Sequence, residues 1–221
     1  MSSSDAILLL HGQPGSGRDW ARVIALLDPD TPALAPDRPG WAEHGAATGI
    51  EANGRTALDA RRIRRATVVG HAYGAGVAAW LAIHHPNRLG RLVLVAPAVN
   101  ASSLYEADRL LALPLVGALA STAILGATGL ALRIAPLRLQ LADRFTVDAS
   151  YLGSLARILL SPSSWRAFVE QRAMVSDLPA LEHELHRITA ETVIVAGSAD
   201  RTIPPHAVRM LRDQIPGAGS C

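Results

Sequence analysis

Gly70-His71-Ala72-Tyr73-Gly74 decides how this chain is read. The run Ala66-Thr67-Val68-Val69 before it reads as a buried strand. Ala75-Gly76-Val77-Ala78-Ala79-Trp80-Leu81-Ala82 after it reads as a helix. A sharp turn between the two lifts one side chain above the edge of a sheet, beside a helix N-terminus. The pattern is that of a nucleophile elbow, G-x-S-x-G, with alanine where the serine stands. The lifted group is then a methyl, which cannot attack a carbonyl.

Working outward, Ala6-Ile7-Leu8-Leu9-Leu10 is a continuous apolar run stopped by His11-Gly12, the pattern of a strand buried on both faces. Asp19 to Leu27 has helical spacing. Ala33-Leu34-Ala35-Pro36 reads as a second strand ending in the turn Asp37-Arg38-Pro39-Gly40-Trp41. Leu92–Ala96 and Thr192–Ala196 are the fourth and fifth strands, and a last helix runs from about Pro205 to Gln214. Strands alternating with helices imply an α/β fold with a mostly parallel central sheet flanked by helices. The stretch from Pro97 to Ala190 is too long for one crossover and is expected to be an inserted helical cap. The division is residues 1–100 and 190–221 for the core and 101–189 for the cap.

The chain has 221 residues, 49% hydrophobic and 18% charged, which argues for a packed core and against disorder. The formal net charge is +2, and every basic residue is arginine. Acidic residues are interspersed with them, so nucleic acid is not an expected partner. The one dense basic run, Arg61-Arg62-Ile63-Arg64-Arg65, closes a helix expected from Glu51 to Arg65, where cations suit the dipole. Cys221 is the single cysteine, so no internal disulfide forms. Met1 to Asp5 lacks the positive start of a signal peptide, and a cytoplasmic location is expected. From Leu110 to Leu132 no residue is charged, and this length could span a bilayer. Pro114, Gly117, Ser121, Thr122, Gly126, Thr128 and Gly129 within it favour instead a helical lid that is buried or touches a membrane peripherally.

Four segments, each following an apolar run, resemble the α/β-hydrolase fold superfamily in its capped branch. They are Leu8–Gly15, Pro36–Trp41, Val68–Gly76 and Val195–Pro204. The resemblance implies an oxyanion hole formed by the backbone amides of Gln13 and Tyr73, with His11, Gly12, Gly70, His71 and Gly74 shaping the loop and the elbow. One such amide is typically worth about 3 kcal/mol of transition-state stabilisation. It also implies a triad acid at Asp200, whose task is to hold a histidine in the correct tautomer. Two departures follow. Ala72 occupies the nucleophile position, and the strand and histidine expected after the last helix are missing, since the sequence closes on Ile215–Cys221.

Other residues have plainer readings. Asp37 is expected to bond within its own turn. His84 and His85 end the elbow helix, and His206 opens the last one. His183 and His186 have helical spacing but no third ligand, so no metal or other cofactor is expected. Tyr105, Trp165 and Phe168 are aromatic residues that pack the cap or line a pocket. No G-x-G-x-x-G follows the first strand, which excludes a dinucleotide loop there. The expectation is a scaffold suited to hydrolysis of a small apolar ester-like substrate but inactive as a serine hydrolase. The alternatives are a pseudoenzyme or apolar-ligand-binding module and a lyase or isomerase that needs no nucleophile.

Overall fold

The computed structural model describes residues 6–41, 49–59, 65–172 and 174–220. The elements run β1 (Ala6–Leu10), α1 (Ala21–Ile24), β2 (Ala33–Leu34), α2 (Ile50–Asp59), β3 (Ala66–His71), α3 (Tyr73–His84) and β4 (Leu89–Val95). Six helices follow: α4 (Glu106–Leu111), α5 (Pro114–Arg133), α6 (Ala135–Arg144), α7 (Ala149–Leu159), α8 (Pro162–Gln171) and α9 (Met174–Glu184). The chain then returns to the sheet through β5 (Glu191–Val195), α10 (Pro205–Gln214) and β6 (Gly219–Ser220). Arg61, Arg62 and Arg64 of the expected basic run lie outside the described residues.

The sheet has six strands in the order β2-β1-β3-β4-β5-β6, and every pair is parallel. The expectation of a missing strand after the last helix is therefore corrected: β6 is present there. Gly219 and Ser220 pair with Val193 and Ile194 because α10 brings the chain back alongside β5. Chain order and sheet order differ at β2 and β1, so loops leave β1 and β3 on opposite sides of one crevice. That crevice, at the carboxyl ends of the strands, is where open α/β sheets place ligands.

Periodicity explains the layers. Leu8, Leu10, Val68, Leu92, Leu94 and Ile194 are almost wholly inaccessible, and α3 is buried from Tyr73 through Ile83. A helix apolar on all sides belongs in the centre of a fold. Met174, Leu178 and Leu181 of α9 join this same cluster. A second cluster, built on Leu125, Leu132, Leu152, Ala156 and Leu159, holds α5, α6 and α7 together.

The helix expected from Asp19 is shorter than its pattern. Residues Gly17–Trp20 form a tight 3-10 turn before α1. Ser16 and Asp19 cap this turn reciprocally, which fixes its start.

Candidate active site

The turn from β3 into α3 has the geometry the sequence calls for. Ala72 has φ 50° and ψ −116°, a conformation L-residues rarely adopt. Its neighbours hold it there. Its amide donates to Val95 O at 3.0 Å, and its carbonyl accepts from Ala75 N at 3.0 Å and Ala98 N at 3.2 Å. Gly70 and Gly74 permit the close approach. A Cβ on Gly74 would lie 2.3 Å from Leu10 O, and one on Gly70 would lie 2.3 Å from Gly74 O. The β1 loop therefore packs directly on the first turn of α3.

The same packing brings the loop after β1 to Ala72. A Cβ on Gly12 would stand 3.2 Å from the Ala72 methyl and 2.9 Å from His71 Nδ1. Among the described residues, the backbone amides of Gln13 and Tyr73 make no hydrogen bond. The Gln13 side chain reaches Met174 Sδ at 3.9 Å, and its Oε1 is buried without a partner among the described residues. Tyr73 turns its ring into the interior, where burial pushes its hydroxyl up to about 12.

Two buried cationic-type groups brace this loop. His11 is fully buried. Its Nδ1–H donates to Gly12 O at 2.8 Å, and its Nε2 accepts from the Arg38 amide at 3.0 Å, which fixes a neutral tautomer. Burial, with Arg38 nearby, holds its pKa well below the usual imidazole value. The Arg38 guanidinium donates to His11 O and Gly12 O, each at 3.0 Å, and sits 4.5 Å over the Tyr73 ring. Burial lowers its pKa to about 10, which leaves it charged at neutral pH. This bracing role was not legible in the sequence. The only signal was an arginine inside a turn otherwise made of aspartate, proline, glycine and tryptophan.

His71 faces the solvent side of the turn, edge-on to Trp20 at 6.5 Å. Desolvation of its ring lowers its pKa, and the carboxylates of Asp19 and Asp200 oppose that shift. Charges from the loop after β5 and from the turn before α1 thus both act on this side chain. Asp200 Oδ1 accepts from Thr202 N at 2.7 Å and Ile203 N at 3.0 Å, which pins the carboxylate in its own turn. Asp19, also missed in sequence, accepts from Ser16 N at 3.2 Å and interacts with Tyr151 of α7. Burial raises the Asp19 pKa, and burial with the Asp19 charge pushes Tyr151 up to about 12.

Asp37 corrects its expectation. Its carboxylate accepts from Gly17 N at 2.6 Å in another loop rather than bonding within its own turn. That contact ties the end of β2 to the turn before α1. Arg18 and Arg157 both donate to Ser154 Oγ at 2.9 Å, a stitch from the sheet side to α7. Between these elements lies a cleft of about 440 Å³ lined by Arg18, Asp19, Arg22, Val147, Tyr151 and Ser154. A separate cavity of about 550 Å³ lies between α2 and α9, bordered by Trp80 and His84, away from Ala72. His84 stacks on Trp80 at 4.5 Å, in keeping with a packing role. The Tyr105 hydroxyl donates to Arg201 O at 3.0 Å, and the Trp165 indole N–H donates to Leu159 O. The Phe168 side chain lies outside the described residues.

A parallel sheet in this order, with a strained turn between its central strand and a buried helix, defines an α/β protein of the hydrolase type. The chain belongs to the alpha/beta hydrolase family, whose model matches residues 7–221. It is 31% identical over 188 residues to a 2-hydroxymuconate semialdehyde hydrolase of Pseudomonas putida, covering 80% of this chain and 58% of that protein. It is 27% identical to a protein of the same name from Pseudomonas sp. (strain CF600), covering 95% of this chain and 75% of the other. Among solved structures it superposes with a TM-score of 0.74 on an alpha/beta hydrolase from a Medee basin deep-sea metagenome library. That match has 15% identity and covers 100% of this chain and 81% of the other, so the likeness is one of fold. The chain spans 58% of the length of the Pseudomonas putida relative.

Proposed function

We propose that this chain carries a hydrolase-type cleft that binds a small, largely apolar, ester-like compound without forming an acyl-enzyme. The observation that carries this reading is Ala72. It sits at the strained turn with its methyl group at the nucleophile position. In this reading the free amides of Gln13 and Tyr73 form the oxyanion hole at the N-terminus of α3, and Asp200 holds the triad-acid position. His11, Gly12, Gly70, His71 and Gly74 set the geometry. Residues 101–189, with helices α4 to α9, form the cap over the cleft. The relatives' printed activity, hydrolysis of a semialdehyde, supports a small carbonyl compound as ligand.

The test is exposure of the protein to a fluorophosphonate probe and to a short-chain p-nitrophenyl ester. No label near residue 72 and no acyl burst are expected. A short-chain ester or ketone analogue is expected to raise the melting temperature, as any ligand selective for the folded state does. Labelling within the cleft, or turnover with a burst, overturns the proposal.

One observation favours a second reading, nucleophile-independent lyase or isomerase chemistry. His71 borders Ala72 and feels both Asp19 and Asp200. Its lowered pKa keeps the ring neutral at pH 7, as a general base requires. This reading demands a turnover that His71→Gln abolishes while ligand-induced stabilisation survives.

A further inference from the structure

Arg18 and Arg157 converge on one oxygen from two different elements. Arg18 stands in the turn before α1, and Arg157 belongs to α7. Arg18 Nη1 and Arg157 Nη2 each donate to Ser154 Oγ at 2.9 Å. The two donor nitrogens therefore stand within about 6 Å of each other, a spacing at which like charges repel. Among the described residues neither guanidinium makes an ion pair. Elsewhere arginines of this chain reach carboxylates, as Arg91 does with Glu191 at 2.9 Å and Arg172 with Asp108 at 2.8 Å.

These two side chains border a groove of about 230 Å³. Ser16, Arg18 and Asp37 line it from the sheet side, and Ser154, Arg157 and Ser161 from α7 and the residues after it. Asp37 is the one carboxylate among the described lining residues, and its Oδ1 accepts from Gly17 N at 2.6 Å. Asp19, further along the turn, accepts from Ser16 N at 3.2 Å. Both nearby carboxylates are thus committed to backbone amides, and two guanidiniums against Asp37 leave the groove with surplus positive charge. Ser154 is 9% exposed. Its Oγ accepts from both arginines and, among the described residues, donates to no acceptor, so its O–H is left to give. Ser161 and Ser163 share a hydrogen bond at 2.8 Å, which holds a second hydroxyl in the lining. Paired guanidinium N–H groups match the oxygens of a carboxylate or phosphate. The groove is smaller than the roughly 300–1,000 Å³ that encloses a drug-sized ligand, so its occupant is compact.

We infer that this groove binds a compact oxyanion, a phosphate or carboxylate group, held between Arg18 and Arg157 with the Ser154 hydroxyl donating to it. The bound group replaces repulsion between two guanidiniums with charge-assisted hydrogen bonds to both. It also ties the turn before α1 to α7, so binding strengthens the contact between sheet side and cap. Ala72 does not line the groove, and the inference does not depend on the chemistry there.

The test is calorimetric titration and thermal unfolding of the whole chain at neutral pH with inorganic phosphate and, separately, with acetate, each against sodium chloride at equal ionic strength. Saturable binding of phosphate or acetate beyond the chloride baseline is expected, with a melting temperature that rises with ligand concentration. The tighter of the two names the oxyanion the site prefers. Arg18→Gln and Arg157→Gln are each expected to weaken binding roughly tenfold or more. Arg157→Lys keeps the charge but loses the paired N–H geometry, and should retain part of the affinity. Both arginines are exposed, so each variant should melt with the wild type in chloride alone, which checks folding. Binding of phosphate and acetate no stronger than that of chloride overturns the inference, as does saturable binding that either glutamine variant leaves unchanged.

Discussion

Replacing Ala72 with glycine should stabilise this protein, against the usual direction of an Ala→Gly change. At φ 50° and ψ −116° the Ala72 Cβ is held in a sparsely allowed conformation. Such a residue typically stores roughly 1 to 3 kcal/mol. Glycine adopts the conformation without that penalty, but its unfolded chain has more freedom to lose, worth about 0.5 to 1 kcal/mol. The methyl is only part-buried, so little packing is lost with it. The balance is a gain of about 1 kcal/mol. Urea unfolding followed by circular dichroism measures it, with Ala78→Gly as the control. Ala78 lies fully buried in α3, and there the same change should cost about 2 kcal/mol, from helix propensity and a lost buried methyl. If Ala72→Gly destabilises as Ala78→Gly does, the turn is not strained and the elbow geometry is wrongly reasoned.

Other outcomes follow from the same contacts. Gly74→Ala places a Cβ against two backbone carbonyls, those of Leu10 and His11, which cannot swing away. It should cost about 3 kcal/mol in denaturant unfolding. Arg38→Met takes the guanidinium donor from the His11 carbonyl and leaves the Gly12 carbonyl with the His11 ring N–H alone, and it should cost roughly 3 kcal/mol; an unchanged midpoint contradicts the bracing role. The folded protein refuses the proton that an unfolded His11 accepts. Below the ordinary imidazole value of 6.5, His11 should therefore remove stability as pH falls, by about 1.4 kcal/mol per unit, until its lowered folded value is reached. A His11→Asn variant without that steeper acid slope, measured beside the wild type, checks it. Asp19 acts in the opposite sense. Its raised folded pKa favours the protonated form, so its contribution is full below the ordinary value of 3.8 and lost as pH rises through the raised one. Asp19→Asn should therefore gain relative to the wild type as pH rises across that window, and a parallel pair of stability curves contradicts this.

How the residues were read, and where reading stopped, has a physical basis. The strands were legible because burial on both faces demands uninterrupted runs such as Ala6–Leu10, and β1, β3, β4 and β5 lie on those runs. The elbow was legible because backbone atoms approaching within 3 Å exclude a Cβ, which forces Gly70 and Gly74 into the sequence. Those constraints act between residues close along the chain or on a whole strand, so the sequence by itself determined the α/β class, the turn and the methyl at its tip. Tertiary structure alone decided the rest. Arg38 braces the loop after β1 from 26 or more positions away, and its sequence neighbours give no hint of it. Asp37 bonds Gly17 rather than its own turn because β2 pairs beside β1. Asp19 interacts with Tyr151, and the Asp200 charge acts on His71, only when α7 and the loop after β5 come together with the turn before α1. The charge-free character of α5 was written in its composition, but which side it turned outward was not. Helical periodicity fixes which residues share a face, and the packing of its small side chains against the neighbouring helices chooses the face that is left exposed.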